Sequence, residues 1–230
     1  MKTPQANATA NGPLLTPDAE DRLAALRLTP VSRETEERLD RFVALLLAWQ
    51  ATTQLVAQST IPRLWSRHIA DSLQLLPLAP EARTWVDLGS GGGFPGLVLA
   101  CALADRPGAK IHLVESNARK AAFLREVTRT LLIPAIVHCA RIEDFIADES
   151  VTPEIVTARA LAPLDKLAGL VAPFVELGAT ALILKGQDVE DELREATKSW
   201  IIGVDLLPSK TDASGRILVV RTLTHRDDCG

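Results

Sequence analysis

The sequence is poor in cysteine and lacks tyrosine. Its three cysteines are Cys101, Cys139 and Cys229, and none of them forms a CxxC pair. An odd number without that spacing argues against a disulfide framework and against a zinc site. This cysteine usage is typical of a protein in a reducing cytosol. We therefore expect a cytoplasmic protein without a metal.

Long apolar runs are also missing. No run approaches the about 20 residues that a membrane-spanning helix needs. The first 17 residues, MKTPQANATANGPLLTP, lack the apolar core of a signal peptide, and their composition predicts a disordered tail. The net charge of −4 gives no overall basic surface, so nucleic-acid binding would need a local basic patch.

The chain of 230 residues is long enough for one sizeable domain with an appendage. We predict a tail over residues 1–17, a helical cap over residues 18–80 and an α/β domain over residues 81–230. The cap and the α/β domain are expected to form one compact unit, and we expect a monomer. Within the cap, apolar residues recur at intervals of three and four, which predicts an amphipathic helix from Leu39, Phe42, Val43, Leu46 and Trp49.

From Thr84 onward, short apolar segments alternate with amphipathic ones, which is typical of a parallel α/β sheet. Strands are predicted at residues 85–88, 111–115, 135–139, 154–158, 179–185, 200–206 and 217–221. Helices are predicted at residues 95–104, 118–131, 163–175 and 189–198. The loop at 208–215 is too short for a helical crossover, so the last strand should be antiparallel.

Five small residues, Gly89–Gly93, follow the first predicted strand. Glycines take positive φ without strain and let a ligand approach the backbone closely. Pro95 suits the first turn of a helix, where its missing N–H costs nothing. A strand, tight turn and helix at this place is where open α/β sheets bind nucleotide-like ligands.

The glycine turn fits two cofactors. Gly91-x-Gly93-x-x-Gly96 matches the dinucleotide fingerprint, whose pyrophosphate binds a helix N-terminus. Gly89-x-Gly91-x-Gly93, with Asp87 two residues ahead, matches the turn that binds S-adenosylmethionine. An acid at the strand end suits the cationic end of that molecule, which carries no phosphate.

Two later strand ends carry further candidates. The second strand ends at Glu115, where a carboxylate can accept hydrogen bonds from both ribose hydroxyls of either cofactor. The loop after the third strand covers the adenine in methyltransferases, which would place Ile142 against the ring and Glu143 near its exocyclic amine. The alternative is a surface loop that leads into a short helix.

The fourth strand ends at Arg159, on the side that faces the transferred methyl group in this architecture. Arg159 could hold a phosphate, a base or a carboxylate, or it could be an arginine in a structural salt bridge. No Asp/Asn-Pro-Pro-Tyr/Phe sequence and no cysteine follow this strand, which disfavours methylation of exocyclic amines and of carbon 5. A ring nitrogen with a free lone pair needs mainly alignment and exclusion of water.

A polar helical face precedes the sheet, with Arg67 and His68 one turn before Asp71. These residues could contact the methyl acceptor or a phosphate, or they could make hydrogen bonds between the cap and the sheet. Lys185, at the end of the fifth strand, also lies on the ligand side. We therefore name Arg67, His68 and Lys185 as candidate RNA contacts.

Together these segments resemble the RsmG (GidB) family over about residues 39–195. The resemblance is carried by the segments RHIADSL (67–73), DLGSGGGFPG (87–96), LVES (113–116), RIE (141–143), TARA (157–160) and KG (185–186). The glycine turn extended by Phe-Pro-Gly and the His-x-x-Asp-Ser-Leu segment make it specific. Departures are Gln50 in place of an asparagine, Arg119-Lys120 in place of two lysines, and Pro153-Glu154 in place of an aromatic residue and Asp.

The resemblance implies a class I, Rossmann-like methyltransferase fold with a seven-stranded, mostly parallel sheet and an N-terminal helical cap. It implies methylation of N7 of a guanine in 16S rRNA of the small ribosomal subunit, with S-adenosylmethionine as cofactor. On the family pattern, the cofactor contacts are Gly89, Phe94, Ile142, Glu143 and Arg159. Asp87, Gly91 and Glu115 complete the predicted cofactor-binding set, on the reasoning given above for each.

No catalytic residue can be assigned from the sequence, although Arg159 and His68 are candidates. Three alternatives stay open. An NAD-dependent oxidoreductase would use the dinucleotide match of the glycine turn, and a non-catalytic ribosome-binding module would keep the fold without methyl transfer. A small-molecule methyltransferase is a third alternative, closer to the main hypothesis.

Overall fold

A computed structural model describes residues 16–148 and 150–229. The tail predicted over residues 1–17 lies almost wholly outside the described residues, and the division into tail, cap and α/β domain stays a prediction. In the described part, no helix is both long and apolar enough to cross a membrane.

Two α-helices open the described chain, α1 (Ala19–Leu28) and α2 (Arg33–Gln50). Each helix is capped at its start by a side-chain oxygen that accepts a backbone N–H. The Asp18 carboxylate accepts the Glu20 N–H at α1, and the Ser32 hydroxyl accepts the Thr35 N–H at α2. The apolar stripe of α2 is buried as its spacing predicts, at Leu39, Phe42, Val43 and Leu46.

The second half of the helical region is irregular, although its sequence has regular helical spacing. It forms a 3-10 helix (Gln58–Arg63), a π-helix (Trp65–Ala70), the short α3 (Asp71–Leu73) and a 3-10 turn (Leu76–Leu78). Pro62 removes one backbone donor just before the π-helix. The Asp21 carboxylate on α1 accepts the N–H groups of Trp65 and Ser66 at 3.0 and 3.1 Å, which anchors the start of the π-helix.

The rest of the chain alternates strands and helices. The strands are β1 (Thr84–Leu88), β2 (Lys110–Val114), β3 (Ala135–His138), β4 (Ile155–Arg159), β5 (Thr180–Lys185), β6 (Trp200–Pro208) and β7 (Arg216–His225). The helices are α4 (Gly96–Ala102), α5 (Ala118–Leu131), α6 (Ile142–Ala147), α7 (Leu164–Glu176) and α8 (Val189–Ala196), and a final 3-10 turn covers Arg226–Cys229. Pro95 precedes α4 instead of opening it, and the Phe94–Pro95 peptide bond is cis.

The strands form one sheet in the order β3-β2-β1-β4-β5-β7-β6. The first five strands in that order are parallel, and β7 runs antiparallel to both of its neighbours. The predicted seven-stranded, mostly parallel sheet and its antiparallel last strand are confirmed. The strand order reverses direction beside β1, and the crevice at such a point is the usual ligand site of open α/β sheets.

Two apolar clusters cover the two faces of the sheet. On one face, Phe42 of α2 and Trp65 of the π-helix join Trp85 of β1 and Phe123 of α5. On the other face, α6, α7 and α8 pack against β1, β4, β5 and β7. Because the helical region shares a core with α4 and α5, it is held against the end of β1, where the glycine turn lies.

Candidate cofactor and methyl-acceptor site

The glycine turn lies between β1 and α4. Gly89, Gly91 and Gly93 have φ values of +68°, +53° and +91°, which L side chains rarely adopt. At Gly89 a Cβ would also lie 2.6 Å from Leu161 Cδ1, so the tip of that side chain would have to shift. The turn is closed from the helical region, since the Phe94 ring packs against that of Phe42 at 5.3 Å between centroids.

Asp87 lies beneath the turn. Its carboxylate accepts the Thr157 hydroxyl at 2.8 Å and the Gly96 N–H at 3.2 Å, and the residue is 1% exposed. Burial raises the pKa of Asp87 to about 6, against the opposing effect of these hydrogen bonds. The sequence suggested a contact with the cofactor's cationic end. That contact stays a prediction, and the structure adds a second role, because one carboxylate oxygen fastens the turn to β4 and the other fastens it to α4.

Glu115 follows β2 and faces the turn. Its Oε2 accepts the Gly91 N–H at 2.9 Å, and its Oε1 accepts the Asn117 N–H at 2.7 Å. A carboxylate has about four acceptor sites, so each oxygen keeps a lone pair for a ligand. The turn and Glu115 therefore form one preorganised unit.

The predicted adenine loop enters α6. Ile142 is half-buried at the first position of this helix, and Glu143 is exposed beside it. The strand before the loop carries a contact that the sequence analysis did not foresee, since His112 Nδ1 and His138 Nε2 are 3.0 Å apart and the rings stack. Burial lowers the pKa of His112 to about 4, with a smaller contribution from His138.

Arg159, at the end of β4, is held on several sides. Its Nη1 donates to the Arg67 carbonyl at 3.1 Å and to Asp71 Oδ2 at 3.4 Å. Its Nη2 lies 2.5 Å from His68 Nδ1, and the guanidinium sits 5.3 Å from the Phe94 ring centroid. Burial lowers the pKa of Arg159, but an arginine remains charged at any ordinary pH.

A cavity of about 490 Å³ opens beside Arg159. It lies at the carboxyl ends of β4 and β5, between the π-helix and the loop that joins β6 to β7. Its walls include the charged side chains of Arg67, Asp71, Arg159, Lys185, Glu192, Asp212 and Arg216.

Arg67 and Lys185, two of the three predicted RNA contacts, line this cavity, and each forms an ion pair. Arg67 Nη1 is 2.6 Å from Asp212 Oδ2, with both side chains partly exposed. Lys185 Nζ is 2.6 Å from Glu192 Oε2 and 2.6 Å from the Ala162 carbonyl, and its side chain is 8% exposed. Arg67 is thus accessible to an incoming phosphate, whereas the Lys185 ammonium is enclosed by its partners.

The structure brings the predicted residues into two adjoining groups. Gly89, Gly91, Phe94 and Glu115 surround the turn, with Ile142 and Glu143 at the next loop. Arg67, His68, Arg159 and Lys185 line the cavity. Phe94 joins the groups, since His68 stacks on its ring and Arg159 lies over it.

Sequence reasoning missed several partners of these residues. Thr157, Thr60, Glu192 and Asp212 each bond to a predicted site residue. One signal was available, because Thr157 stands two residues before Arg159 in a strand and so shares its face. Over residues 16–148 and 150–229, no group of three or more His, Cys, Asp or Glu side chains is placed to hold a metal ion.

Comparison with known proteins gives the family. A family model described as rRNA small subunit methyltransferase G (GidB) matches residues 35–213. The chain belongs to this family. A relative from Bradyrhizobium sp. strain BTAi1, named ribosomal RNA small subunit methyltransferase G, is 63% identical over 202 residues, covering 88% of this chain and 91% of the relative. A Nitrobacter hamburgensis protein of the same name is 58% identical, covering 91% of this chain and 80% of its own length.

Solved structures at low identity show the fold. The O-methyltransferase TomG from Streptomyces achromogenes superposes with a TM-score of 0.57 at 13% identity, covering 89% of this chain and 96% of TomG. An O-methyltransferase from Bacillus cereus gives 0.56 at 14% identity, covering 88% and 97%. The predicted class I methyltransferase fold and the predicted RsmG (GidB) family are confirmed.

Proposed function

We propose that this chain is an S-adenosylmethionine-dependent methyltransferase that methylates N7 of a guanine in small-subunit ribosomal RNA. The family assignment and the names of the relatives support the reaction and the RNA. The observation that carries the proposal is the arrangement of a preorganised glycine turn with Glu115 beside a charged cavity that contains Arg159. The N7 position comes from the family resemblance. We propose further that the protein acts in the cytoplasm.

The donor set fits the cofactor. Glu115 would accept both ribose hydroxyls, and the open backbone of Gly89 and Gly91 would allow close approach. Ile142 would lie against the adenine, with Glu143 near its amine. Arg159 keeps its Nε–H and one Nη2–H for a ligand, since no described residue accepts them in addition to the bonds above. A carboxylate matches this pair of donors, so Arg159 would bind the methionine end.

The cavity fits the acceptor. Guanine N7 carries a lone pair and no proton, so no general base has to act before it attacks the sulfonium methyl group that the cofactor supplies. The product base carries a positive charge. Asp71 and Asp212 in the cavity wall would stabilise that charge electrostatically. The chain's main task would therefore be alignment of the two reactants and exclusion of water.

The decisive experiment measures transfer of labelled methyl from S-adenosylmethionine to 30S subunits taken from cells that lack the native enzyme. Free 16S rRNA and protein alone serve as controls. We expect label in a single guanine, recovered as 7-methylguanosine after digestion to nucleosides. Absence of label in RNA while the cofactor still binds would contradict the RNA substrate. Stabilisation of the protein against unfolding by NAD, with none by S-adenosylmethionine, would favour the oxidoreductase alternative instead.

A binding measurement tests the cofactor assignment directly. We expect Glu115→Ala to weaken the binding of S-adenosylmethionine by about 1–3 kcal/mol, because a charged hydrogen-bond partner is lost. Calorimetric titration gives the affinity. Glu190→Ala, at an exposed position of α8, is the matched control and should leave the affinity unchanged. An unchanged affinity in Glu115→Ala would show that Glu115 does not bind the ribose.

A further inference from the structure

His68 lies between Arg159 and Thr60, where both of its ring nitrogens have a partner. We infer that His68 is a positioning residue: it is held as the Nε2–H tautomer and aims Arg159 at the carboxylate of the cofactor. This inference rests on the proposed function, because it takes Arg159 as the residue that binds the methionine end. It gives His68 a role other than that of a proton-transferring catalyst.

The direction of each hydrogen bond follows from chemistry. A guanidinium has only donors, so His68 Nδ1, which lies 2.5 Å from Arg159 Nη2, must present a lone pair. The ring proton is then on Nε2, which donates to Thr60 Oγ1 at 2.9 Å. The Thr60 hydroxyl in turn donates a hydrogen bond to the Ala57 carbonyl at 2.7 Å. This series of hydrogen bonds ends at a backbone carbonyl, which can only accept. No bond in the series can therefore reverse its direction without the loss of a partner.

Packing holds the ring in this orientation. The His68 ring stacks on that of Phe94 with centroids 4.8 Å apart and planes 29° apart, and the residue is 7% exposed. Arg159 lies over the same Phe94 ring. The π-helix supplies His68 from the helical region, and such helices occur frequently at functional sites. His68 therefore joins the turn, the helical region and β4 at one point.

The charges around His68 keep it neutral. Burial, helped by the nearby Arg159 and Arg67 cations, lowers the pKa of His68 to about 3. A neutral imidazole whose lone pair is already used by a guanidinium has no free site with which to remove a proton. This fits an N7 acceptor, which needs no deprotonation.

The remaining donors of Arg159 define what it can hold. Nη1 is used by the Arg67 carbonyl and Asp71, and one Nη2 proton is used by His68. Without His68, the Nη2 group would lose the contact that fixes its rotation. Asp71 is itself held by the Thr211 hydroxyl and the Gln74 amide, so the Nη1 side stays anchored. Loss of His68 should therefore weaken the binding of a carboxylate ligand and leave the binding of the adenosine portion unchanged.

The tautomer is measured by ¹⁵N NMR of histidine-labelled protein at neutral pH. The chain contains four histidines, and the spectrum of His68→Phe identifies the resonances of His68 by their loss. We expect a protonated Nε2 and an unprotonated Nδ1, whose ¹⁵N shifts are well separated. A His68 that is doubly protonated at pH 7, or protonated on Nδ1, would overturn the inference whatever the protein methylates.

The positioning role is measured with two ligands and two variants. S-adenosylmethionine carries the carboxylate, whereas 5′-methylthioadenosine keeps the adenosine, has an uncharged thioether in place of the sulfonium, and lacks the carboxylate. His68→Phe keeps a ring on Phe94 but removes the acceptor, and His68→Asn keeps an acceptor near the Nδ1 position. We expect His68→Phe to weaken S-adenosylmethionine about tenfold and His68→Asn less than about threefold, with methylthioadenosine nearly unchanged in both.

Two results would overturn the role. One is an equal loss for both ligands in His68→Phe, which would show general distortion of the site. The other is an unchanged affinity for S-adenosylmethionine. Thr60→Val tests the far end of this series of hydrogen bonds and should give a smaller loss of the same selectivity. If these affinity differences hold while 30S subunits take up no label, the RNA substrate is contradicted and the positioning role stands.

Discussion

Gly96 opens α4 in a place without room for any side chain, and alanine there should destabilise the protein strongly. A Cβ at Gly96 would lie 2.3 Å from Leu113 Cδ2, 2.6 Å from Asp87 Oδ2 and 3.0 Å from Asp87 Cβ. Both neighbours are almost completely buried, so neither can move into solvent. The substitution must shift β1 or β2, or break the hydrogen bond from the Gly96 N–H to Asp87.

The magnitude follows from these two costs. Overpacking a close-packed core costs about 1–3 kcal/mol. Loss of the charged Asp87 hydrogen bond adds about 1 kcal/mol or more. We therefore expect Gly96→Ala to lower the free energy of unfolding by about 2–4 kcal/mol, and the Tm by about 5–15 °C for a chain of this size. Urea unfolding followed by circular dichroism and a thermal scan measure both quantities.

The same chemical change elsewhere should have the opposite sign. Gly169 lies inside α7 on an exposed position, and a Cβ there would meet only Trp200 Cζ2 at an ordinary 3.7 Å. Gly169→Ala should stabilise the protein by about 0.4–1 kcal/mol, because alanine favours the helix. A Gly96→Ala variant within about 0.5 kcal/mol of the parent protein would refute the packing of the turn described above.

Two further predictions concern buried charges. The raised pKa of Asp87, about 6 against 3.8, means that its contribution to stability is complete below about pH 4 and is lost as the pH rises through about 6. The loss is on the order of 3 kcal/mol. Subtracting the unfolding free energy of Asp87→Asn from that of the parent protein at each pH between 4 and 7.5 isolates it. A difference that increases as the pH rises contradicts the assignment. At the Lys185–Glu192 pair, Glu192→Leu leaves a buried ammonium and should cost about 3 kcal/mol. Lys185→Met should cost less, since Glu192 is partly exposed and still accepts the Leu164 N–H. Urea unfolding of both single variants and of the double variant measures the coupling between the two residues. If the two single losses of unfolding free energy simply add in the double variant, the ion pair does not contribute as described.

Much of the fold was predictable because its signals are local. Short apolar segments and amphipathic helices alternate along the sequence, so the seven strands follow from spacing alone. The π-helix at Trp65–Ala70 was not predictable in this way. Its anchor, Asp21, is on another helix, 44 and 45 residues before the N–H groups that it accepts. Regular spacing in the sequence therefore does not show the pitch that tertiary contacts impose.

The candidate site divides in the same manner. The turn and Glu115 were predictable because they follow consecutive strands at one edge of a parallel sheet. The hydrogen bonds of Asp87 were not predictable, since its partner Thr157 lies 70 residues later in the sequence. The partner of Arg67 was also hidden, because Asp212 lies 145 residues away in a loop without a recognisable motif.

The cavity has walls from opposite ends of the chain, which bears on the order in which the protein is made. One wall comes from the π-helix and α3, and the other from the loop before β7, tied across by Asp71 to Thr211 and by Gln74 to Lys210. The residues of the glycine turn and Glu115 have all been synthesised when about half of the chain has been made. A growing polypeptide thus contains the residues of its glycine turn long before those of the second cavity wall, and the cavity closes only when the last strand has joined the sheet.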